Sequence, residues 1–181
     1  VTGGDAAILP RIVPIGDVDE DEIAFAEAAT GAMALELPEA IGGFQRKTLL
    51  AELILKWAEA IKPTVKGQAP LVANSPAAAL ALANDLARLM DDVEIEGADW
   101  TRLAALAPED FANWWQVTLD FLAIATDAWP QMLAERGQSD PAAYRNTLIR
   151  MEAARLMRNP PAGPVIAAGS TGSIPATADL L

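Results

Sequence analysis

The stretch 114-WWQVTLDFLAIATDAWPQML-133 holds apolar residues along two adjacent lines at helical spacing. Trp114, Thr118, Phe121, Ala125, Ala128 and Met132 make one line, and Trp115, Leu119, Leu122, Trp129 and Leu133 make the other. Positions three and four apart share a face of an α-helix, and two such lines span an arc too wide for a surface helix. The pattern predicts the central, largely buried helix of the molecule, opening at Pro108 and running to about Arg136. Pro130 deletes a backbone donor inside it and predicts a kink; Gly137 ends it.

Downstream, Asp140 followed by Pro141 starts a capped helix to about Arg158. Leu148, Ile149, Ala153, Leu156 and Met157 mark its apolar side, and Arg150, Arg155 and Arg158 lie on the other. After the stop signal 159-NPPAG-163, residues 164–169 (PVIAAG) run apolar without polar alternation, the pattern of a buried parallel strand. Residues 169–173 (GSTGS) read as a tight polar loop, and 175–181 as the start of a helix. Strand, loop and helix in that order form the unit of an α/β sheet.

Upstream, a short helix is expected over 99–106. Ser75 before Pro76 caps a helix that carries Leu82, Leu86, Leu89 and Val93 along one side. Residues 63–75 have turn composition. Past Gly42 and Gly43, an amphipathic helix sets Leu49, Leu50, Leu53, Ile54, Trp57 and Ile61 against Glu52, Lys56 and Glu59. The acidic run 17-DVDEDE-22 opens a helix to about Leu35, favoured by the positive end of the helix dipole. Residues 8–15 (ILPRIVPI) suit a short edge strand or extended arm, because Pro10 and Pro14 each remove a ladder donor.

The fold class expected is therefore mainly α, with about six helices in one subdomain. Residues 1–16 form an extended segment, 17–159 the helical body, and 160–181 a strand–loop–helix belonging to an α/β sheet. A helical body placed between two extended segments looks like an insertion between two strands of one sheet. The chain opens on Val1 and stops at Leu181 as a helix pattern begins, so a piece of a longer polypeptide is expected.

Composition narrows the chemistry. Of 181 residues 52% are hydrophobic, which suffices for a packed interior. No apolar run reaches the length of a membrane span, so no membrane partner is expected. Cysteine and histidine are both absent, removing disulfides, thiolate nucleophiles, Cys/His zinc sites and histidine bases together. The lack of cysteine fits a cytoplasmic location. A net charge of -12 argues against a dedicated nucleic-acid module, which needs cations to neutralise phosphates.

Two places stand out as candidate sites. Gly169, Ser170, Thr171, Gly172 and Ser173 follow the expected strand, where α/β folds hold phosphates on loop amides. A working ATPase loop needs GxxxxGK[ST]; no lysine is present and the spacing differs, so a capped turn without ligand is the stronger reading. Arg150, Arg155 and Arg158 form the one basic face, where a phosphate contact would be sought, although salt bridges to the many acids compete. The acids Asp91, Asp92, Glu94 and Glu96 read as a solvated helix end and loop. No catalytic residue and no metal ligand is expected, and the tryptophans are read as packing rather than as base-stacking groups.

The stretches 9-LPRIVPIGDVDEDEIAFAEAA-29, 86-LARLMDDVEIEGADWTRL-103, 114-WWQVTLDFLAIATDAWPQMLAERGQSDPAAYRN-146 and 160-PPAGPVIAAGSTGSIPATADLL-181 together resemble the B subunit of the bacterial AddAB helicase–nuclease, in its alphaproteobacterial form. The resemblance is weakest over 37–75 and most distinctive in the GSTGSIPAT run. It implies a part in double-strand break repair by homologous recombination. The A subunit of that family is the ATP-driven motor. The B subunit resembles a superfamily 1 helicase without its ATPase residues, followed by a RecB-like nuclease domain. The resemblance places this chain in the N-terminal helicase-like region, with the A subunit and, through the whole protein, DNA as partners. An iron–sulfur cluster, magnesium and ATP belong to the whole enzyme, and no cofactor is expected in this chain. Two rival readings stay open: a helical adaptor that docks a partner helix through its Trp-rich faces, unrelated to DNA, and an enzyme fragment whose 169–173 loop holds a phosphate.

Overall fold

A computed structural model describes residues 37–61, 75–104 and 112–181 of the chain. The helix expected from the acidic run at 17–22, the extended segment 8–15 and most of the 63–75 loop lie outside the described residues. Those described are mainly helical. They run β1 (Glu39–Ala40), α1 (Gly43–Ala60), α2 (Pro76–Glu96), α3 (Thr101–Ala104), α4 (Ala112–Ala123), a π-turn (Ile124–Ala128), α5 (Trp129–Arg136), β2 (Gln138–Ser139), α6 (Pro141–Arg158) and α7 (Pro175–Leu180).

Helix α1 forms where the leucine periodicity predicts it. Leu49, Leu50 and Ile54 are buried, Leu53 and Trp57 are half-buried, and Glu52, Lys56 and Glu59 face solvent. Its main partner is α2, whose start is fixed by the Ser75 hydroxyl accepting from the amide of Ala78 at 3.2 Å. The face that α2 buries follows the expected leucine line only in part, with Leu86 buried and Leu82 packed against the core. Ala79, Ala83, Leu86, Ala87 and Met90 turn inward, while Leu89 and Leu80 are exposed. Ala51 and Ala58 of α1 are buried as well. Wholly buried Leu50, Ile54 and Leu86 contribute about 1.5–3 kcal/mol each by leaving water.

The 114–133 stretch is helical, but it is neither as buried nor as continuous as its sequence suggests. Leu122, Ile124, Ala125, Trp129 and Leu133 are buried, whereas Trp115 and Leu119 are only half-buried. The core therefore centres on α1 and α2, with this stretch laid against them. Trp57 of α1 meets Phe121 of α4 edge to face, with ring centroids 5.1 Å apart. The irregularity before Pro130 takes the form of a π-turn, in which the amide of Trp129 donates to the carbonyl of Ile124. Pro130 has no amide hydrogen and its ring would strike the carbonyl four residues back; one extra residue in the turn moves that carbonyl aside.

Gly137 closes α5 at φ 63°, a left-handed conformation that costs a side-chain-bearing residue more. The chain then pairs β2 with β1 in parallel, Glu39 opposite Gln138 and Ala40 opposite Ser139. Helix α6 buries Leu148, Ile149 and Ala153 as expected, but Met157 on the same expected side is exposed. Helix α7 packs on α6 through Ala176 and Thr177. Residues 164–168 do not form the buried strand expected of them: they belong to no ladder among the described residues and lie on the surface. An apolar run becomes a strand only when a neighbouring strand accepts its backbone hydrogen bonds, and the one sheet described here is β1 with β2.

Candidate functional site

The 169–173 loop bonds to itself. Thr171 Oγ1 donates to Ser173 Oγ at 3.1 Å, and the amide of Gly172 donates to Ser170 Oγ at 3.3 Å. Gly169 and Gly172 take positive φ, a conformation that glycine adopts without steric cost. The loop borders a shallow, open hollow with Ala168, Ile174 and Thr177, and none of the residues lining that hollow is cationic. The amide groups that an anion would use are thus partly spent on neighbouring hydroxyls, and no positive charge lines the hollow to offset a phosphate.

The arginines of α6 are engaged as well. Arg155 makes a two-point contact with Glu152, Nε to Oε2 at 2.7 Å and Nη2 to Oε1 at 2.6 Å. Arg150 approaches Asp179 of α7 at 3.6 Å across an exposed surface. Arg158 turns its Nε back to the carbonyl of Ala154 at 3.1 Å, near the negative end of the helix. Two of these three charges are matched by carboxylates.

The densest polar arrangement lies elsewhere, and the sequence reading misses it. Arg46 of α1 is only 6% exposed. Its Nη2 donates to Asp140 Oδ1 at 3.1 Å and approaches the carbonyl of Ala87 at 3.4 Å, while Nη1 lies 2.9 Å from Asp91 Oδ1. The Asp91 contact is an ion pair. Asp140 also accepts from Trp129 Nε1 at 3.0 Å and from the amide of Ala142 at 3.3 Å, capping α6. One carboxylate thus ties α1, α5 and α6 together. Nearby, buried Asn146 donates from Nδ2 to the carbonyl of Glu94 at 3.0 Å and to its Oε1 at 3.1 Å, joining α6 to α2.

Two of the four acids expected to end α2 in solvent are therefore half-buried and engaged by other helices. The helix continues through Glu96, which carries Asp91 and Glu94 onto the face that meets α1 and α6. Burial raises the Asp91 carboxyl above its ordinary value, and the adjacent Arg46 charge offsets only part of that. Asp99 is shifted the other way, lowered by hydrogen bonds from the hydroxyl and amide of Thr101 at 2.7 and 2.8 Å. A signal for Arg46 exists in the sequence, since it stands on the same helical line as Leu49, Leu50 and Leu53. A charge inside an apolar stripe demands a buried counter-charge.

The hub holds helices together. Among the described residues no group of three or more Asp or Glu is placed to hold a metal ion, and no helix is long and apolar enough to cross a membrane. The iron–sulfur cluster that the resemblance implies for the whole enzyme finds no thiolate in this cysteine-free chain, so these residues do not fit it. Compared with known proteins, the chain matches no family description, no curated protein and no solved structure.

Proposed function

We propose that this chain is a structural and protein-contacting module of the non-motor subunit of a cytoplasmic helicase–nuclease that processes double-strand DNA breaks. The observation that carries the reading is the sequence resemblance along 9–29, 86–103, 114–146 and 160–181. Two features of the molecule support the scaffold part of it. The helices close on one another around a polar hub whose contacts join α1, α2, α5 and α6. The 169–173 loop, which would have to bind nucleotide in a motor, carries no lysine and spends its hydroxyls internally. In this reading ATP, magnesium and the cluster serve other parts of the enzyme, and DNA reaches this module through its neighbours. The test is co-expression of the parent protein, intact or with this module deleted, with its motor subunit. Loss of assembly and of DNA-end degradation on deletion is the expected result; a fully active complex without the module overturns it.

The adaptor reading keeps one specific observation in its favour. Phe44, in the first turn of α1, is 86% exposed. A large aromatic side chain in that position suits a protein contact. Binding of the isolated chain to the motor subunit, weakened by Phe44→Ala, favours the first proposal; tight binding to an amphipathic helix with no affinity for the motor favours the adaptor.

A further inference from the structure

Large apolar side chains on a surface are ordinary when they stand singly. Among the described residues Phe44 stands in the first turn of α1, and Leu80 and Leu89 fall on opposite sides of α2 by helical spacing. Met157, Val165, Ile166 and Leu181 are different, because they gather at one place and each is more than half exposed. Val165 and Leu181 line a hollow of about 400 Å³ together with Leu156, Pro161, Ala167 and Leu180. Met157 and Ile166 are chain neighbours of residues in its wall. Apolar side chains collected around a concave place mark a contact surface.

The charge beside this patch is the reverse of the molecule's. Beyond Glu152 the chain carries Arg155, Arg158 and a single acid, Asp179, against a net charge of -12 overall. Arg150, Ala154, Met157 and Arg158 follow one another at helical spacing along one exposed face of α6. Arg158 meets no carboxylate among the described residues; its Nε donates to the Ala154 carbonyl at 3.1 Å, and both Nη groups are left over. Arg150 reaches Asp179 only at 3.6 Å, with both side chains about half exposed, a loose pair open to exchange. A guanidinium takes a carboxylate through two parallel N–H bonds. We propose that the hollow between α6, residues 161–167 and α7 docks an acidic amphipathic helix of a partner protein. The partner's apolar side chains cover Met157, Val165, Ile166 and Leu181, and its carboxylates meet Arg158 and Arg150. This surface rests on the protein-contact part of the proposed function and not on its DNA part, since a motor subunit and an adaptor's partner can both present such a helix.

The probe is a fluorescein-labelled synthetic helix of about 18 residues, with leucine along one face and glutamate along the other. A chain of net charge -12 repels such a peptide as a whole, so saturable binding in an anisotropy titration has to come from a local surface. A Gly-Ser tail after Leu181 keeps the terminal carboxylate away from the hollow in every protein tested. Ile166→Ser and Arg158→Glu are each expected to weaken binding about tenfold, the first by losing an apolar anchor and the second by turning a charge against the partner. Phe44→Ala, on α1, leaves binding unchanged, and a peptide with serine in place of its leucines does not bind. All three substituted side chains are exposed, and unchanged far-ultraviolet circular dichroism verifies the fold. No saturable binding, binding that survives both Ile166→Ser and Arg158→Glu, or binding lost with Phe44→Ala overturns the proposal. Light scattering that finds a dimer broken by Ile166→Ser overturns it too, by naming a second copy as the occupant. Peptide binding beside a fully active complex that lacks the module keeps this surface and removes the proposed function; absent binding beside lost assembly does the reverse.

Discussion

Arg46→Met is the most informative single change. It keeps an unbranched apolar stem in the space between α1, α2 and α6, so the cavity term is small. It removes the cation that faces Asp140, Asp91 and the carbonyl of Ala87. Breaking a buried ion pair from one side costs about 3–5 kcal/mol, because the partner charge is left uncompensated. Two features lower that figure here. Asp140 keeps its bonds from Trp129 Nε1 and the Ala142 amide, and the Asp91 side chain is about a third exposed and can be rehydrated. The expected loss is about 2–3 kcal/mol, a large share of the ~5–15 kcal/mol that holds a domain folded. Urea unfolding followed by tryptophan fluorescence reads it as a midpoint lowered by about 1 M or more. Adding Asp140→Asn, which keeps acceptors for the indole and the cap, removes the stranded charge. The double variant is then less destabilised than the sum of the two singles by about 1 kcal/mol or more. A loss within about 0.5 kcal/mol of wild type, or strict additivity, refutes the hub as a joint of the fold.

Other expectations follow from single features. Asp91 holds its proton more tightly when folded, so folding takes up a proton just above its ordinary value of 3.8, and this group adds stability as the pH falls through that window. Measured from about pH 7 down to about pH 4, the urea midpoint of wild type should rise relative to that of Asp91→Asn, and the absence of any relative rise contradicts the assignment. Gly137→Ala forces a side chain into the left-handed turn that ends α5 and should cost about 1–2 kcal/mol in the same assay. Ser75→Ala removes the cap of α2 and should cost about 1 kcal/mol, with Ser75→Asp restoring most of it.

What was legible in the sequence is what repeats. Leucines at helical spacing locate α1, a capping serine before proline locates the start of α2, and an aspartate before proline locates α6. What the sequence hides depends on the far side of each contact. Of the apolar line Leu82, Leu86, Leu89 and Val93, Leu86 is buried and Leu82 packs against the core while Leu89 is exposed, and Ala79, Ala83 and Ala87 turn inward beside them, which the leucine spacing alone does not show. The π-turn shows in the sequence only as a proline in a helix; its outcome depends on how the neighbouring turn widens. The hub is least visible, since Asp91 and Asp140 lie far from Arg46 along the chain and read locally as a solvated acid and a cap. For the candidate sites the lesson reverses. The 169–173 loop and the arginines of α6 are found where the sequence puts them, but their partners decide their character: hydroxyls within the loop, and Glu152 and Asp179 beside the helix.

Calorimetric titration of the purified chain with MgATP, and separately with a single-stranded 30-mer at low salt, puts the scaffold claim to its hardest trial. The account predicts no saturable heat with nucleotide up to about millimolar concentration, and DNA binding no tighter than the weak, sequence-independent range of ~10⁻⁴–10⁻⁶ M. Micromolar nucleotide binding abolished by Gly172→Val, or tight DNA binding abolished when Arg150, Arg155 and Arg158 become alanine, would put chemistry inside this module and contradict it.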